Sequence, residues 1–374
     1  MKWFEYNLII PHKKENEDPF FFNNNFAFTK LFKGIKYTSL WNRKKRGIKL
    51  TVIISNYNNS QYIVRNIVSL DNLLNNAEVE ILLVDDCSTD GSQDLIRSME
   101  KNYNNLYGVF FDSNSGVSTI RNFAMYNSMG RYVLFLDADD YLINIDELCS
   151  MINYAIEKDI DILNSNPKIR YSESNINDDL YIKNQYEAIN VLAIDNVPRM
   201  ALQDFWLHGR LIKTDLITNN CIHFPNITYS EDDKFMQDVY LASKKVGFWN
   251  KSIYVYNREP ANFSLTSNLN STLQGKINLL ITRIAIMDHN TRKNSEFYNS
   301  VIGKKILARK LEFNVFVKFL ENNDLNILLS DNEELQLLKV KCLQLLKRAK
   351  DNNVLKYFVK KERVQKINEV YKIK

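Results

Sequence analysis

Three carboxylates stand where a strand ends. In RYVLFLDADDYL, residues 131–142, the strand-forming run Tyr132, Val133, Leu134, Phe135 and Leu136 leads directly into Asp137, Asp139 and Asp140. Like charges held this close cannot all ionise cheaply, so the set needs a positive partner. A D-x-D spacing offers oxygen ligands to Mg²⁺ or Mn²⁺, which take one or two carboxylates and leave the other positions to phosphate oxygens and water. That chemistry suits a nucleoside diphosphate. The simpler role for the same residues is to cap the next helix, as Asp commonly does.

Two further segments carry chemistry of the same kind. VDDCSTDGS puts Asp85 and Asp86 at the end of another apolar run. There a carboxylate can accept a hydrogen bond from a base N–H, while Ser88 and Asp90 close the turn and cap the following helix. NSGVSTIRN supplies an Asn, a Gly and a helix N-terminus, with Arg121 about one turn inside.

These residues must be positioned by regular elements, and the pattern supplies them. The apolar runs 49–54, 79–84, 106–111 and 131–136 alternate with segments of helical spacing: Ile63, Ile67, Leu70 and Leu74; Leu95, Ile96 and Met99; Val117, Ile120 and Ala124. Ser60 is expected to cap the first helix. Continuous apolar strands alternating with amphipathic helices imply an α/β fold, a parallel sheet covered on both faces. Ligands bind outside the carboxyl ends of such strands, where SNYNN, DDCSTD, DSNSG and DADD stand. No GxGxxG follows the first strand, so the usual dinucleotide fingerprint is absent. Beyond Asp140 the spacing predicts a helix from Ile145 to Ile156, a strand near DIDILNSN and a helix around 184–195. From about 270 onward apolar residues recur at helical spacing, as in Leu307, Leu311, Val315 and Phe319.

The chain has 374 residues, 45% of them hydrophobic and 25% charged, with a formal net charge of +5. From Lys339 onward there are 12 Lys/Arg against 3 Asp/Glu, a net of +9 that leaves −4 for the rest. A mildly acidic body with a basic tail argues against a general nucleic-acid binder and for one localised anionic contact. Cys87, Cys149, Cys221 and Cys342 form no CxxC pair, so zinc and disulfide frameworks are not expected and a reducing compartment fits. No stretch approaches the roughly 18–20 apolar residues of a membrane span, and the N-terminus lacks a signal pattern. A cytoplasmic protein is expected, with the basic tail able to dock on an anionic membrane surface.

Residues 49–143 resemble the nucleotide-sugar-binding half of inverting family 2 glycosyltransferases of GT-A fold. The matching segments are VIISNYNNSQYI, LLVDDCSTDGS, NSGVSTIRN and YVLFLDADD. WLHGRLIKTDLI, YSEDDKF and YVYNREPANFSLT resemble that family's acceptor-side half. The resemblance implies a Rossmann-like, mostly parallel sheet followed by a helical C-terminal region. It divides the chain into an extension (1–48), a GT-A domain (49–267, halves 49–143 and 144–267) and a helical region with a basic tail (268–374).

By the same resemblance Ser55 and Tyr57 line the base pocket, Asp86 reads the base edge and Arg121 lies near base or phosphates. Asp137 and Asp139 span ribose and metal, with Asp140 a further metal candidate. Asp232 aligns with the catalytic base, and Glu231 and Asp233 stand beside it. A divalent Mn²⁺ or Mg²⁺ and a nucleotide-sugar donor, with UDP-sugars foremost, are implied. The implied acceptor is a glycan or lipid-linked carrier in capsule, lipopolysaccharide or other surface-polymer synthesis. The chain departs from the family in having ITYS before EDD, where a Gly or an aromatic is more usual, and HGRLI in place of Asn-Lys-Leu. His208 and Trp206 are weighed as an acceptor contact and a sugar-stacking ring against ordinary structural roles. Rival readings are a nucleotidyltransferase acting on sugar phosphates, a receiver-like module and a catalytically silent binding protein. SNYNNSQY lacks the Gly-rich basic loop of the first, and two acidic sets exceed what the others need.

Overall fold

The computed structural model describes residues 35–40, 43, 47–172, 175–177, 190–192, 206–227, 230–258, 273–293, 295–311, 340, 344–357, 361–362 and 364–365. The described chain falls into two compact units, Phe22–Asn226 with Glu231–Phe263 and, separately, Ile227–Ser230 with Ser264–Lys374.

In the first unit the apolar runs become β2 (Leu50–Asn56), β3 (Val79–Asp85), β4 (Leu106–Phe111) and β5 (Tyr132–Asp137), preceded by β1 (Ile35–Thr38). The intervening helices are α1 (Ser60–Val68), α2 (Ser92–Asn102) and α3 (Val117–Tyr126). Then come β6 (Tyr141–Leu142), α4 (Ile145–Lys158), β7 (Ile162–Asn164), β8 (Lys168–Ser172), β9 (Asn175–Asn177) and β10 (Asn190–Leu192). The unit closes with β11 (Arg210–Lys213), α5 (Thr214–Asn219), α6 (Glu231–Ala242), β12 (Val246–Phe248) and β13 (Tyr254–Asn257).

Among the described residues nine strands form one sheet in the order β1-β4-β3-β2-β5-β11-β7-β12-β10, and β6-β13-β8-β9 form a second. β2, β3, β4 and β5 are parallel. The chain builds outward from β2 through β3 to β4, then returns to lay β5 on the other side of β2. That reversal opens a crevice between the carboxyl ends of β2 and β5, where open α/β sheets take their ligands.

Alternate side chains along each strand feed two cores. Leu50, Val52, Ile54, Leu134 and Leu136 pack with Ile63 and Ile67 of α1 and Leu148 and Met151 of α4. Ile53, Val133 and Phe135 face the other way, onto Phe123 of α3 and Phe235 and Val239 of α6. Full burial of each such side chain contributes about 1.5–3 kcal/mol, and the sheet is covered on both faces as expected.

Three local expectations change. Asn59, not Ser60, is the N-cap of α1, and the Ser60 N–H instead donates to Asp90 Oδ2 at 2.7 Å. Residues 190–192, inside the helix expected around 184–195, are strand β10, paired antiparallel with β12. The open backbone groups of β12 reward pairing more than a short isolated helix rewards itself. Residues 35–38, read as extension, add an antiparallel edge strand to β4. The aromatics Phe20 to Phe32, the rest of 184–195 and the segment NFSLT lie outside the described residues, as do Val315 and Phe319.

The second unit contains α7 (Leu273–Lys293), α8 (Ser295–Asn299) and α9 (Val301–Lys310). Ser300 caps α9 by accepting the Gly303 N–H at 3.0 Å. Residues 344–351 are helical; Leu345, Leu346 and Ala349 are buried, while Lys347, Arg348 and Lys350 are exposed. Among the described residues no helix is long and apolar enough to cross a membrane.

Candidate active site

Asp137 ends β5 at the crevice and is the hub of the site. Its Oδ1 accepts from Ser55 Oγ of β2 at 2.9 Å, spanning the switch point, and from Arg121 Nη2 at 2.6 Å. Its Oδ2 lies 3.3 Å from His208 Nε2. Burial opposes its ionisation, but the Arg121 guanidinium and the His208 contact outweigh burial and hold its pKa well below the usual carboxylate range.

The backbone after β5 is fixed from α1. Asn66 Nδ2 donates to the carbonyls of Asp137 and Asp140 at 3.0 and 2.9 Å, and Arg65 Nη2 donates to that of Asp139 at 2.9 Å. Asp140 is fully buried and ties to β13. Burial, then the charges of Asp139 and Asp137, raise its pKa well above the ordinary value. Asp137, Asp140 and His208 each offer one ligand atom within 4.8 Å of the others, an acidic cluster that could hold a metal ion. Asp139, expected on the metal, is not one of the three; it is partly exposed.

His208 comes from the segment before β11. Its ring lies 5.1 Å from those of Tyr254 and Tyr256 and 5.6 Å from that of Trp206, and Trp206 meets Tyr256 at 5.2 Å. Gly209, with φ of +69°, makes the turn that presents it; a Cβ there would sit 2.6 Å from Ser165 Oγ. Arg210, buried behind, donates to the Trp206 carbonyl, Asn164 Oδ1 and the Tyr240 hydroxyl.

Arg121 reaches across to α6. Its Nη1 donates to Glu231 Oε1 at 3.0 Å, and its guanidinium carbon lies 5.5 Å from the Phe224 ring centroid. One nearly buried cation therefore bridges Asp137 and Glu231 rather than standing open to base or phosphate, and the opposing carboxylates push its own pKa up against the effect of burial. Asp233 Oδ1 accepts from Gln237 along the helix. Asp232 accepts its neighbour's N–H at 2.8 Å and forms no ion pair among the described residues. Burial first, then the charge of Glu231, pushes its pKa up to about 7.

Asp86 stands at the carboxyl end of β3, its two oxygens accepting the N–H groups of Ser115 and Gly116 at 2.7 and 2.9 Å. It organises the loop entering α3 and is nearly buried, and that burial raises its pKa. Tyr57 is 48% exposed beside the crevice. Asp90 accepts from Ser92 and from Ser60, so it ties two helix starts together.

The structure thus gathers Ser55, Arg121, Asp137, Asp140 and Glu231 into one connected set, with Asp232 beside it. Nothing in the sequence singles out Asn66, and His208 is marked there only weakly. A lone His carries little signal, although its place between Trp206 and a glycine in an aromatic-rich stretch was a pointer.

Residues 51–217 match the family model for Glycosyl transferase family 2. Over this segment the chain is similar to glycosyl transferase family 2. The glycosyltransferase GlyG of Streptococcus pneumoniae is 26% identical over 227 residues, 58% of this chain and 73% of that protein. The poly(ribitol-phosphate) beta-glucosyltransferase of Bacillus spizizenii is 31% identical over 214 residues, 53% of this chain but only 30% of that protein. A structure of Staphylococcus aureus TarS residues 1–349 in complex with UDP-GlcNAc superposes with a TM-score of 0.64 at 22% identity, covering 84% of this chain and 85% of that one. The fold is accordingly α/β and GT-A-like.

Proposed function

We propose that the protein is an inverting glycosyltransferase that moves a hexosyl or N-acetylhexosaminyl group from a nucleotide-sugar, with UDP-sugars foremost, to a hydroxyl of a cell-surface glycan or lipid-linked acceptor. The observation that carries this reading is the Arg121 bridge, at 2.6 Å to Asp137 and 3.0 Å to Glu231. It holds a strand-end carboxylate at the switch point and the acidic start of α6 in one fixed arrangement. The family match over residues 51–217 and a relative named for glucosyl transfer to poly(ribitol-phosphate) support the donor and acceptor classes.

In this reading Asp232 takes the proton of the acceptor hydroxyl as that oxygen forms its bond to the anomeric carbon and the bond to the diphosphate breaks. General-base help of this kind contributes about 10²–10⁴-fold, and a pKa of about 7 suits the task. Glu231, neutralised by Arg121, keeps the helix start in place. Ser55, Tyr57 and Asp86 line the nucleotide end; Asp86 retains lone pairs for a base N–H beyond its two backbone bonds. Trp206 and Tyr256, both partly exposed, form the wall on which a sugar ring stacks.

The residues present fit a divalent cation. Asp137 would supply a carboxylate oxygen and His208 an imidazole nitrogen, its Nε2 standing 3.3 Å from Asp137 Oδ2. When bound, Mn²⁺ or Mg²⁺ supplies Lewis acidity to the diphosphate leaving group. The reading includes a cytoplasmic site of action and reversible docking of residues 339–374 on an anionic inner membrane leaflet, close to a lipid-linked acceptor.

The test is a panel of UDP- and GDP-sugars with purified protein and Mn²⁺. Metal-dependent release of nucleoside diphosphate from a preferred donor is expected. Pyrophosphate chemistry on sugar 1-phosphates would assign it to the nucleotidyltransferases, and donor binding with no turnover would make it a silent binding protein.

A further inference from the structure

We propose that Asp140 is a positioning residue rather than a metal ligand: it latches β13 to the loop after β5 and so sets the aromatic wall facing Asp137 and His208. The inference rests on the metal-site reading above. Asp140 has no solvent exposure. Its Oδ1 accepts the Asn257 N–H at 2.7 Å, and its Oδ2 accepts the Tyr254 hydroxyl at 2.5 Å. Its N–H donates to the Asp137 carbonyl at 3.0 Å, and its own carbonyl accepts from Asn66. Every polar group of the residue is thus held by protein.

Those contacts lie where the chain must be clamped. β6 begins at the next residue and pairs with β13, Tyr254 opposite Leu142 and Val255 opposite Tyr141. That ladder is short, since β6 has only two residues. Asp140 reinforces it at both ends of β13, at Tyr254 and at Asn257. The Tyr254 hydroxyl also accepts the Asp137 N–H at 3.3 Å, and its ring packs on His208. Asp137 differs: its side chain is 26% exposed at the crevice. A cation reaching Asp140 Oδ2 would have to enter a solvent-free site and share that oxygen with a hydroxyl proton, and pulling the carboxylate away would leave a buried N–H or O–H unsatisfied.

The experiment combines Mn²⁺ affinity, read by electron paramagnetic resonance in the presence of UDP, with hydrogen exchange across residues 254–257. Asp140→Asn preserves both contacts, because the amide oxygen accepts from Asn257 and the amide N–H donates to the Tyr254 oxygen. It should keep Mn²⁺ affinity within about twofold of the parent, whereas Asp137→Asn should lose at least about tenfold. Exchange at 254–257 should stay at the parent rate in Asp140→Asn and rise about tenfold or more in Asp140→Ala. Tyr254→Phe, which leaves Asp140 in place, should loosen the same segment and stands in if the alanine variant does not fold. Mn²⁺ loss in Asp140→Asn equal to that of Asp137→Asn overturns the proposal, as does unchanged exchange in both Asp140→Ala and Tyr254→Phe. A parent protein that binds no Mn²⁺ overturns the metal reading alone, and the exchange comparison still decides the latch.

Discussion

Glu231 and Asp232 are neighbours in sequence, yet Arg121 treats them differently. Glu231 takes the ion pair, and Asp232 is left with a proton affinity raised to about 7 by burial and by Glu231. Asp232→Asn should keep the fold and donor binding but lower transfer by about a hundredfold or more. Glu231→Gln should lose less; the reverse order of losses would move the base to Glu231. The rate in the parent should climb as pH rises through about 7, and a flat profile from pH 5 to 8 would remove Asp232 from the role. Stability should run the other way. Between the ordinary Asp value near 3.8 and about 7 the unfolded chain has lost a proton that the folded chain keeps, so this group erodes stability as pH rises through that window. Asp232→Asn should therefore melt higher than the parent at pH 8 and equally at pH 4, which scanning calorimetry checks.

Two backbone positions at the ends of elements govern where these side chains point. Gly209 adopts φ of +69° before β11, with Ser165 Oγ where a Cβ would go. Gly209→Ala adds backbone strain of about 1–2 kcal/mol to that clash. It should lower the urea midpoint and also weaken donor binding, because His208 is displaced. Unchanged donor affinity in a folded variant would separate the turn from the site. Ser230, just before α6, has φ of +60°, a left-handed conformation that glycine adopts most easily. Ser230→Gly should be tolerated, while Ser230→Val should cost about 1–2 kcal/mol in urea denaturation, since a branched Cβ suits that region worst.

At the level of the whole molecule the charge is asymmetric: residues 339–374 carry a net +9 and the rest of the chain −4. In residues 344–351 the apolar side, Leu345, Leu346 and Ala349, is buried, so an attraction to lipid there is electrostatic rather than insertive. Arg348 is engaged with Asp288, which removes one charge from that surface. Each remaining basic residue near an anionic leaflet is worth about 1 kcal/mol, over a Debye length of about 8–10 Å. Co-sedimentation with phosphatidylserine vesicles should be strong at low salt, fall steeply with added salt and weaken when the exposed lysines Lys347, Lys350, Lys356 and Lys361 are changed to Gln. Salt-independent binding, or none at low salt, would leave these residues as a solvated face of the helical unit.

The parallel sheet and its acidic strand ends were legible in the sequence because continuous apolar runs and helical spacing are local signals, each fixed by residues a few positions apart. So was the conjunction of DDCSTD, NSG and DADD that carries the family resemblance. The sharing of work among the carboxylates was not legible. Asp137, Asp139 and Asp140 look alike along the chain; only the packing of β13 and the reach of Arg121 and His208, from up to 117 residues away, give them different partners and different exposure. Edge strand β10 was likewise invisible, since its conformation is decided by the open ladder of β12 rather than by its own three residues. Local periodicity determines which elements form. Burial and long-range ion pairing, which require the folded sheet, decide which of several identical side chains is ion-paired, which keeps a raised proton affinity and which has both oxygens held by protein.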